Sequence, residues 1–269
     1  MAKPIDWQPR GVKDVASVRE LSPVGRFAPE GPVAGFVERF FTISWDLRGQ
    51  APLTRETLPH PSCYLVVEAG AGRSGLAGVS TARMVRVIEE RGRVYGAKFH
   101  PGAFRPYWHA PVRTLTDRVV PLGDAFGPAG AALEERVLAC GDDVPAAIAL
   151  LEAFLTERVP APDPKAALVR RSIECILAAR DLVRAEDAAA AAGVTLRTLQ
   201  RLYQDYVGVS PKWVIQRYRL HDAMEELESG RRVDLGGLAL RLGFCDQAHF
   251  TRAFRKFLGR TPAGYGGQG

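Results

Sequence analysis

Two segments near the end of this 269-residue chain place arginine, glutamine and histidine side chains on the polar face of a predicted helix. In the first segment, apolar residues recur at the i, i+3, i+4 and i+7 spacing of one buried stripe, namely Leu199, Leu202, Tyr203 and Tyr206. This stripe leaves Arg197, Gln200 and Arg201 on the opposite face. In the second segment the stripe consists of Phe250, Phe254 and Phe257. The polar residues lying off it are Gln247, His249, Thr251, Arg252 and Arg255.

Each segment follows a short predicted helix and a turn that contains glycine. Ala189 precedes Gly193 in the first copy, and Ala239 precedes Gly243 in the second. A helix-turn-helix needs a small residue where its two helices cross and a glycine in the turn. The sequence therefore predicts two helix-turn-helix motifs, the second with a slightly longer turn.

The polar residues are of the types that recognise DNA bases. Arginine can bridge guanine O6 and N7, glutamine can bridge adenine N6 and N7, and small side chains contact the thymine methyl group. Any amphipathic surface helix also shows arginine and glutamine to water, so one copy alone would not separate these interpretations. The predicted helix between the copies, Ser210–Glu228, would be about 28 Å long. A rod of that length can hold two helices near the 34 Å repeat of the major groove, which favours reading of DNA.

The C-terminal half is predicted to be entirely helical. The helices expected from periodicity and capping residues are Lys165–Ala179, Ala185–Ala192, Thr195–Asp205, Ser210–Glu228, Asp234–Leu242 and Asp246–Phe257. Thr195, Ser210 and Asp246 supply N-cap oxygens, and Pro211 suits the first helical position. The expected stops are glycines suited to a left-handed C-cap: Gly193, Gly208, Gly230, Gly243 and Gly259.

The charge of the chain is concentrated in the same half. Residues 161–269 carry 17 Lys and Arg against 12 Asp and Glu, which accounts for +5 of the total net charge of +6. A basic half is typical of nucleic-acid binding.

The chain is 46% hydrophobic and 25% charged, which excludes wholesale disorder. It has no apolar run of membrane-span length and no secretory signal at its start, and its four cysteines form no C-x-x-C pair. These features predict a cytoplasmic protein without a membrane partner.

The N-terminal half has a different sequence pattern, one that predicts strands rather than helices. Short β-favouring runs at residues 40–45, 63–67 and 94–99 are separated by turns rich in glycine and proline, and they predict a small antiparallel barrel or sandwich. Helices are expected at Ala131–Leu138 and Val144–Arg158. Alternate prolines follow, and they predict a stiff extended linker. The predicted organisation is a β-rich domain at 1–159, a linker at 160–164 and a helical domain at 165–269.

The segment from Leu168 to Tyr265 resembles the AraC/XylS-type DNA-binding domain of bacterial transcription regulators. The match is carried by Gly193-Val194-Thr195-Leu196-Arg197-Thr198-Leu199-Gln200-Arg201-Leu202-Tyr203, by the run Leu242-Gly243-Phe244-Cys245-Asp246-Gln247-Ala248-His249-Phe250-Thr251-Arg252, and by Gly259-Arg260-Thr261-Pro262. The resemblance implies that two motifs bind two successive major grooves. Its base-facing candidates are Arg197, Gln200 and Arg201 in the first recognition helix, and Gln247, Ala248, His249 and Arg252 in the second. This chain departs from the family in the alanine-rich run Ala188–Ala192 and in Tyr203, where phenylalanine is usual.

The N-terminal half is similar to a poorly characterised domain that often precedes AraC-type domains in actinobacterial regulators. The similarity is carried by the runs Cys63–Val67, Gly96–Phe104 and Leu115–Leu122. It implies a β-rich, cupin-like sensor domain and leaves open a homodimer contact. The resemblance to regulators also implies control by a small organic effector and a contact with RNA polymerase. It names no ligand.

An enzyme of a different class remains the alternative. His60, His100, His109 and Cys63 can be imagined as metal ligands on a cupin-like barrel, so the second hypothesis is a cupin-like metalloenzyme with a DNA-tethering helical domain. No H-x-H or H-x-x-x-H pair supports it, and metal sites need converging ligands. No phosphate-binding loop, nucleophile elbow or pair of catalytic carboxylates is present, and isolated cysteines argue against an alkyl-transfer repair protein. We therefore predict a transcription regulator that binds double-stranded DNA and has no catalytic residues, no metal and no cofactor.

Overall fold

The computed structural model describes residues 22–70, 73–229 and 231–266, together with Pro4. It has a β-rich N-terminal region and a helical C-terminal region, as the sequence predicted. Within the described ranges, every helix is too short or too polar to span a bilayer.

The N-terminal region is built on antiparallel strands. They are β1 (Val24–Phe27), β2 (Val37–Asp46), β3 (Leu53–Thr57), β4 (Tyr64–Ala69), β5 (Gly75–Ala77), β6 (Met84–Ile88), β7 (Arg91–Phe99) and β8 (Val119–Val120). Six of them form one sheet in the order β1-β2-β7-β4-β5-β8, while β3 and β6 pair as a separate ribbon. The predicted strand runs at residues 40–45, 63–67 and 94–99 are thus the three central strands β2, β4 and β7.

Helices complete this region and form the rest of the chain. They are α1 (Arg105–Trp108), α2 (Leu122–Phe126), α3 (Pro128–Ala139), α4 (Val144–Thr156), α5 (Pro164–Ala178), α6 (Ala185–Ala191), α7 (Leu196–Tyr206), α8 (Pro211–Glu228), α9 (Leu235–Arg241), α10 (Gln247–Leu258) and α11 (Pro262–Gly266). Two 3-10 helices lie at Gly31–Gly35 and Val112–Leu115. Each helix predicted between residues 165 and 258 is present as one of α5 to α10, with its ends within one residue of the prediction.

One face of the sheet packs against α3 and α4. Phe40 and Leu65 lie opposite Ala97 in the register of the central strands, and all three are fully buried with Leu151 of α4. Side chains alternate across a strand, so their neighbours Arg39 and Lys98 belong to the other face of the sheet. That second face carries buried polar side chains as well as apolar ones.

The proline-rich connection differs from the prediction at one residue. Residues 159–163 belong to no helix or strand, but Pro164 is the first residue of α5 and not the last of the linker. Asp163 accepts hydrogen bonds from the amides of Lys165 (2.8 Å) and Ala166 (3.4 Å). A capping aspartate followed by proline favours the start of a helix, because proline has no amide hydrogen to leave unpaired there. The division of the chain into domains at this connection stays a prediction.

The N-terminal region contacts both helix-turn-helix units. Arg113 forms an ion pair with Asp205 of α7 (2.8 Å), and the Thr116 hydroxyl donates to the Gly208 carbonyl (2.8 Å). Val79 is buried in the core around α5 to α8, while Leu58 packs against the core around α8 to α10. The N-terminal region is therefore docked on the helical half through apolar as well as polar contacts.

Candidate nucleic-acid interface

The first helix-turn-helix consists of α6 and α7. Ala189 is 2% exposed at the crossing of the two helices, and Gly193 has a φ of +69° in the turn. The Thr195 hydroxyl accepts a hydrogen bond from the Thr198 amide and so caps α7. The small residue, the glycine and the N-cap thus serve the purposes that the sequence predicted.

The buried side of α7 holds the helix at a fixed rotation. Leu199, Leu202, Tyr203 and Tyr206 are all buried, as predicted. Tyr203, which stands where phenylalanine is usual, forms a 2.8 Å hydrogen bond through its hydroxyl with the hydroxyl of Ser172 on α5. This departure is accommodated because the extra oxygen of tyrosine has a buried partner.

The opposite side of α7 is open to solvent. Arg197, Gln200 and Arg201 are all exposed. Among the described residues, no carboxylate forms an ion pair with Arg197 or Arg201. Their positive charge is therefore available to an external partner.

The second helix-turn-helix consists of α9 and α10. Ala239 is fully buried at the crossing, and Gly243 in the turn has a φ of +80°. A Cβ on Gly243 would come within 2.6 Å of the Val183 Cβ, so close approach as well as backbone conformation requires glycine here. Asp246 caps α10 by accepting a hydrogen bond from the His249 amide (2.6 Å).

The exposed side of α10 carries three of the four side chains predicted on this helix to contact DNA bases. Gln247, Ala248 and Arg252 are exposed, while Phe250, Phe254 and Phe257 form the buried stripe. His249 is half-buried, and its ring packs edge-on against Phe244 with centroids 5.3 Å apart. His249 therefore has a packing contact in addition to its predicted role at the interface.

Three further polar side chains lie on these two faces. Gln204 follows Gln200 and Arg201 at helical spacing on α7, and Arg255 and Lys256 are exposed on the last turns of α10. No ion pair engages Arg255 or Lys256 within the part of the chain that the structure describes. Their spacing in the sequence indicates the same helix faces. Gln204 lies four residues after Gln200 and three after Arg201, and Arg255 and Lys256 lie three and four residues after Arg252.

Helix α8 connects the two units. Its 18 residues correspond to about 27 Å at 1.5 Å per residue, close to the predicted 28 Å. Ser210 caps its start through the Trp213 amide (3.2 Å), as predicted. The buried Arg219 forms an ion pair with Asp222 (2.7 Å) and donates to the Ile176 carbonyl of α5. These contacts attach α8 to α5, and Val214 of α8 lies in the same core as Ala189 and Leu199 of the first unit.

The histidines and the cysteine considered as metal ligands have other surroundings. His60 stacks on His221 of α8, with ring centroids 5.0 Å apart. His109 is exposed, Cys63 is buried, and burial lowers the pKa of the half-buried His100. In the described ranges, no three His, Cys, Asp or Glu side chains converge as a metal site would require.

A cavity opens at one end of the N-terminal sheet. It has a volume of about 680 Å³ and is lined by Trp45, Asp46, Arg91, Arg93 and Asp142 among others. Arg91 and Arg93 both contact Asp142, at 2.6 and 2.9 Å. Its volume is within the usual range for small-molecule sites.

Two protein families match this chain. The model of a helix-turn-helix domain matches residues 188–268. The model of a domain of unknown function, DUF6597, matches residues 25–121. The two matches cover the two regions for which the sequence motifs predicted an AraC-type domain and an associated N-terminal domain.

Curated relatives are transcription regulators by name. The HTH-type transcriptional regulator GlxA of Rhizobium meliloti is 26% identical over 234 residues, which are 85% of this chain and 59% of that protein. A protein of Proteus vulgaris named "Probable transcription factor PqrA" is 35% identical over 65 residues, which are 24% of this chain and 52% of that protein. This chain thus spans a little over half the length of each relative.

Solved structures of regulators are also similar. The DNA-binding domain of AdpA, solved in complex with a target DNA, is 29% identical and covers 39% of this chain and 91% of its own, with a TM-score of 0.31. ToxT from Vibrio cholerae is 12% identical and covers 91% of this chain and 97% of its own, with a TM-score of 0.36. The assignment rests on the two family models. The chain carries a DUF6597 domain at residues 25–121 and a helix-turn-helix domain at residues 188–268, which is the arrangement that the sequence motifs predicted for an AraC-type regulator.

Proposed function

We propose that this protein is a sequence-specific transcription regulator whose two recognition helices, α7 and α10, enter two successive major grooves of double-stranded DNA. The observation that carries the proposal is the pair of exposed helix faces at Arg197–Arg201 and Gln247–Arg252, each presented by the same kind of motif. Both faces include arginines that no carboxylate of the described residues neutralises. Helix α8 joins the two motifs and packs in the core of each, through Val214 in the first and Leu220 in the second, which supports a fixed relation between the two faces.

The two recognition helices are expected to contact bases in different major grooves. Arg197, Gln200 and Arg201 contact base edges in the first groove. In the second groove Gln247 and Arg252 form hydrogen bonds, Ala248 contacts a thymine methyl group, and His249 approaches from the rim of the face. Arg255 and Lys256 lie nearer the end of α10 and suit phosphate oxygens, which position the protein without selecting a sequence.

The N-terminal domain is expected to regulate this binding through a small organic effector. The cavity beside Trp45, Arg91 and Arg93 is a candidate site, since its volume suits a small organic molecule and its lining combines an aromatic ring with charged side chains of both signs. The contacts of Arg113 with Asp205 and of Thr116 with Gly208 offer a route to the first helix-turn-helix. A homodimer and a contact with RNA polymerase belong to the same hypothesis.

The proposal assigns no catalytic step to the chain. It places the protein in the cytoplasm, the compartment that holds bacterial DNA. The metalloenzyme alternative has no specific observation in its favour, because no three His, Cys, Asp or Glu side chains of the described residues converge as metal ligands.

The experiment is selection of randomised duplexes by the full-length protein, followed by sequencing. We expect an enriched motif of two short boxes about 10 base pairs apart, the spacing of one helical turn. The double variant Arg197→Ala with Arg252→Ala should lose the enrichment. Arg136→Ala, which changes an exposed arginine of α3, should retain it. Failure to enrich any sequence, or equal enrichment by the double variant, would contradict the proposal.

A further inference from the structure

A histidine pair joins the N-terminal domain to the second helix-turn-helix. His60 lies in the segment between β3 and β4, and its ring is nearly parallel to that of His221, at an interplanar angle of 14° and a centroid distance of 5.0 Å. His221 in turn contacts Phe257 of the recognition helix α10 edge-on at 5.0 Å. Residues from the sensor domain, the connecting helix and the second recognition helix thus meet in one aromatic stack.

Hydrophobic packing supports the same contact. Leu58, two residues before His60, packs against the core that contains Leu220, Phe254 and Phe257. His221 is 2% exposed. Segment 58–62 therefore covers part of the second unit and shields it from water.

The surroundings of His60 are rich in positive charge. The charged side chains that act on it are Lys98 of β7, Arg39 of β2 and Arg217 of α8, and the titratable His221 faces it directly. Within the described residues, Glu38 forms ion pairs with Lys98 (2.8 Å) and with Arg39. Arg217 is buried between the rings of Trp213 and Phe257, at 4.5 and 4.3 Å. A further proton on the His60 ring would face the positive charges of Lys98, Arg39 and Arg217.

We propose that His60 is a pH-sensitive latch, and that protonation of its ring releases segment 58–62 from α8 and undocks the sensor domain from the second helix-turn-helix. The Nε2 atom of His60 is buried and has no hydrogen-bond partner among the described residues. An N–H formed at this atom by protonation would have no hydrogen-bond acceptor among the described residues of the docked state. This inference concerns docking of the two domains and does not require the proposed DNA binding.

The direction of the pH effect follows from linkage. Burial, reinforced by Lys98 and the other cations, holds the pKa of docked His60 well below 6.5, whereas an undocked histidine titrates near its ordinary pKa of about 6.5. The undocked state therefore binds more protons below that pH. Above about pH 6.5 the ratio of docked to undocked molecules does not depend on pH. Below it, this ratio falls by about tenfold for each pH unit, until the depressed pKa of docked His60 is reached.

The test uses fluorescence energy transfer in the full chain. Cys140 lies in the sensor domain and Cys245 precedes α10, so dyes on these two thiols report undocking. Cys175→Ser removes the third accessible thiol, and burial raises the pKa of the Cys63 thiol to about 12, which keeps it unreactive. Single-molecule histograms then give the ratio of docked to undocked molecules between pH 8 and pH 5.

In the parent protein, which has His60, the ratio of docked to undocked molecules should fall by about tenfold for each pH unit below 6.5. His60→Phe keeps a flat ring that cannot be protonated, and its ratio should not change with pH. His60→Arg carries a permanent charge and should be undocked already at pH 8, with circular dichroism confirming that it is folded. His109→Asn, at an exposed histidine, should behave as the parent. A parent ratio that is constant down to pH 5, or a His60→Phe ratio that falls as the parent's does, would overturn the latch.

Discussion

Arg252 offers the sharpest test of direct base reading. Its side chain is exposed on α10, beside Ala248, and no ion pair engages it within the described residues. Arg252→Ala therefore removes no internal contact, and we expect the free energy of unfolding to change by less than about 0.5 kcal/mol. Any loss of affinity must then come from the DNA side.

The expected loss is the value of one good arginine contact with a base edge. Such a contact contributes about 1–3 kcal/mol, so Kd for the selected duplex should rise about 5- to 150-fold. The selectivity should relax at one base position only, because the other side chains keep their register. Fluorescence anisotropy at fixed salt, on the selected duplex and on its single-base variants at each position, measures both effects.

The matched control is Lys256→Ala on the same helix. If Lys256 contacts a phosphate, its removal should weaken binding equally on all these duplexes. A uniform loss in Arg252→Ala as well would show that Arg252 also touches phosphate, and an unchanged Kd would show that α10 does not face the DNA. Either result would refute the assignment of this face as base-reading.

Three more predictions can be checked on the same protein. The logarithm of the binding constant should fall linearly with the logarithm of salt concentration, and the slope should shrink by about 1 in Lys256→Ala; a flat salt response would contradict backbone contacts. Gly243→Ala should destabilise the protein more than Gly193→Ala in urea unfolding. Both strain a left-handed position, at about 1–2 kcal/mol, but only Gly243 has a neighbour, Val183, in the way; equal losses would argue against that close approach. Asp246→Ala should cost about 0.5–2 kcal/mol through loss of the N-cap of α10, and a calorimetric melting temperature equal to the parent's would count against the cap.

The helical half was predictable because its signals are local. An N-cap such as Thr195 or Asp246 and a turn glycine such as Gly193 or Gly243 act on the backbone within a few residues, so the order of residues alone places the helix ends. Gly230, also predicted to end a helix, lies outside the described residues. The ends of α3 were less well predicted, since Pro128 starts that helix three residues before the expected Ala131.

The buried face and the exposed face of each recognition helix were also set by the sequence. Apolar residues at helical spacing leave one orientation for the helix, so the exposure of Arg197 and Arg252 follows from the positions of Leu199 and Phe250. His249 was the exception. Its ring contact with Phe244 depends on how the turn returns to α10, which no spacing reveals.

The relation between the two halves was decided only by the tertiary structure. His60 and His221, Arg113 and Asp205, and Leu58 and the core of the second unit are far apart in the chain, and each partner alone resembles an ordinary loop or surface residue. Such contacts depend on the three-dimensional placement of whole elements, which local propensity does not encode. The sequence by itself therefore determined the two motifs and the chemistry of their exposed faces. The docking of the N-terminal region on the helical half, with its cation-rich histidine pair, arose only when the sheet and the helices packed together.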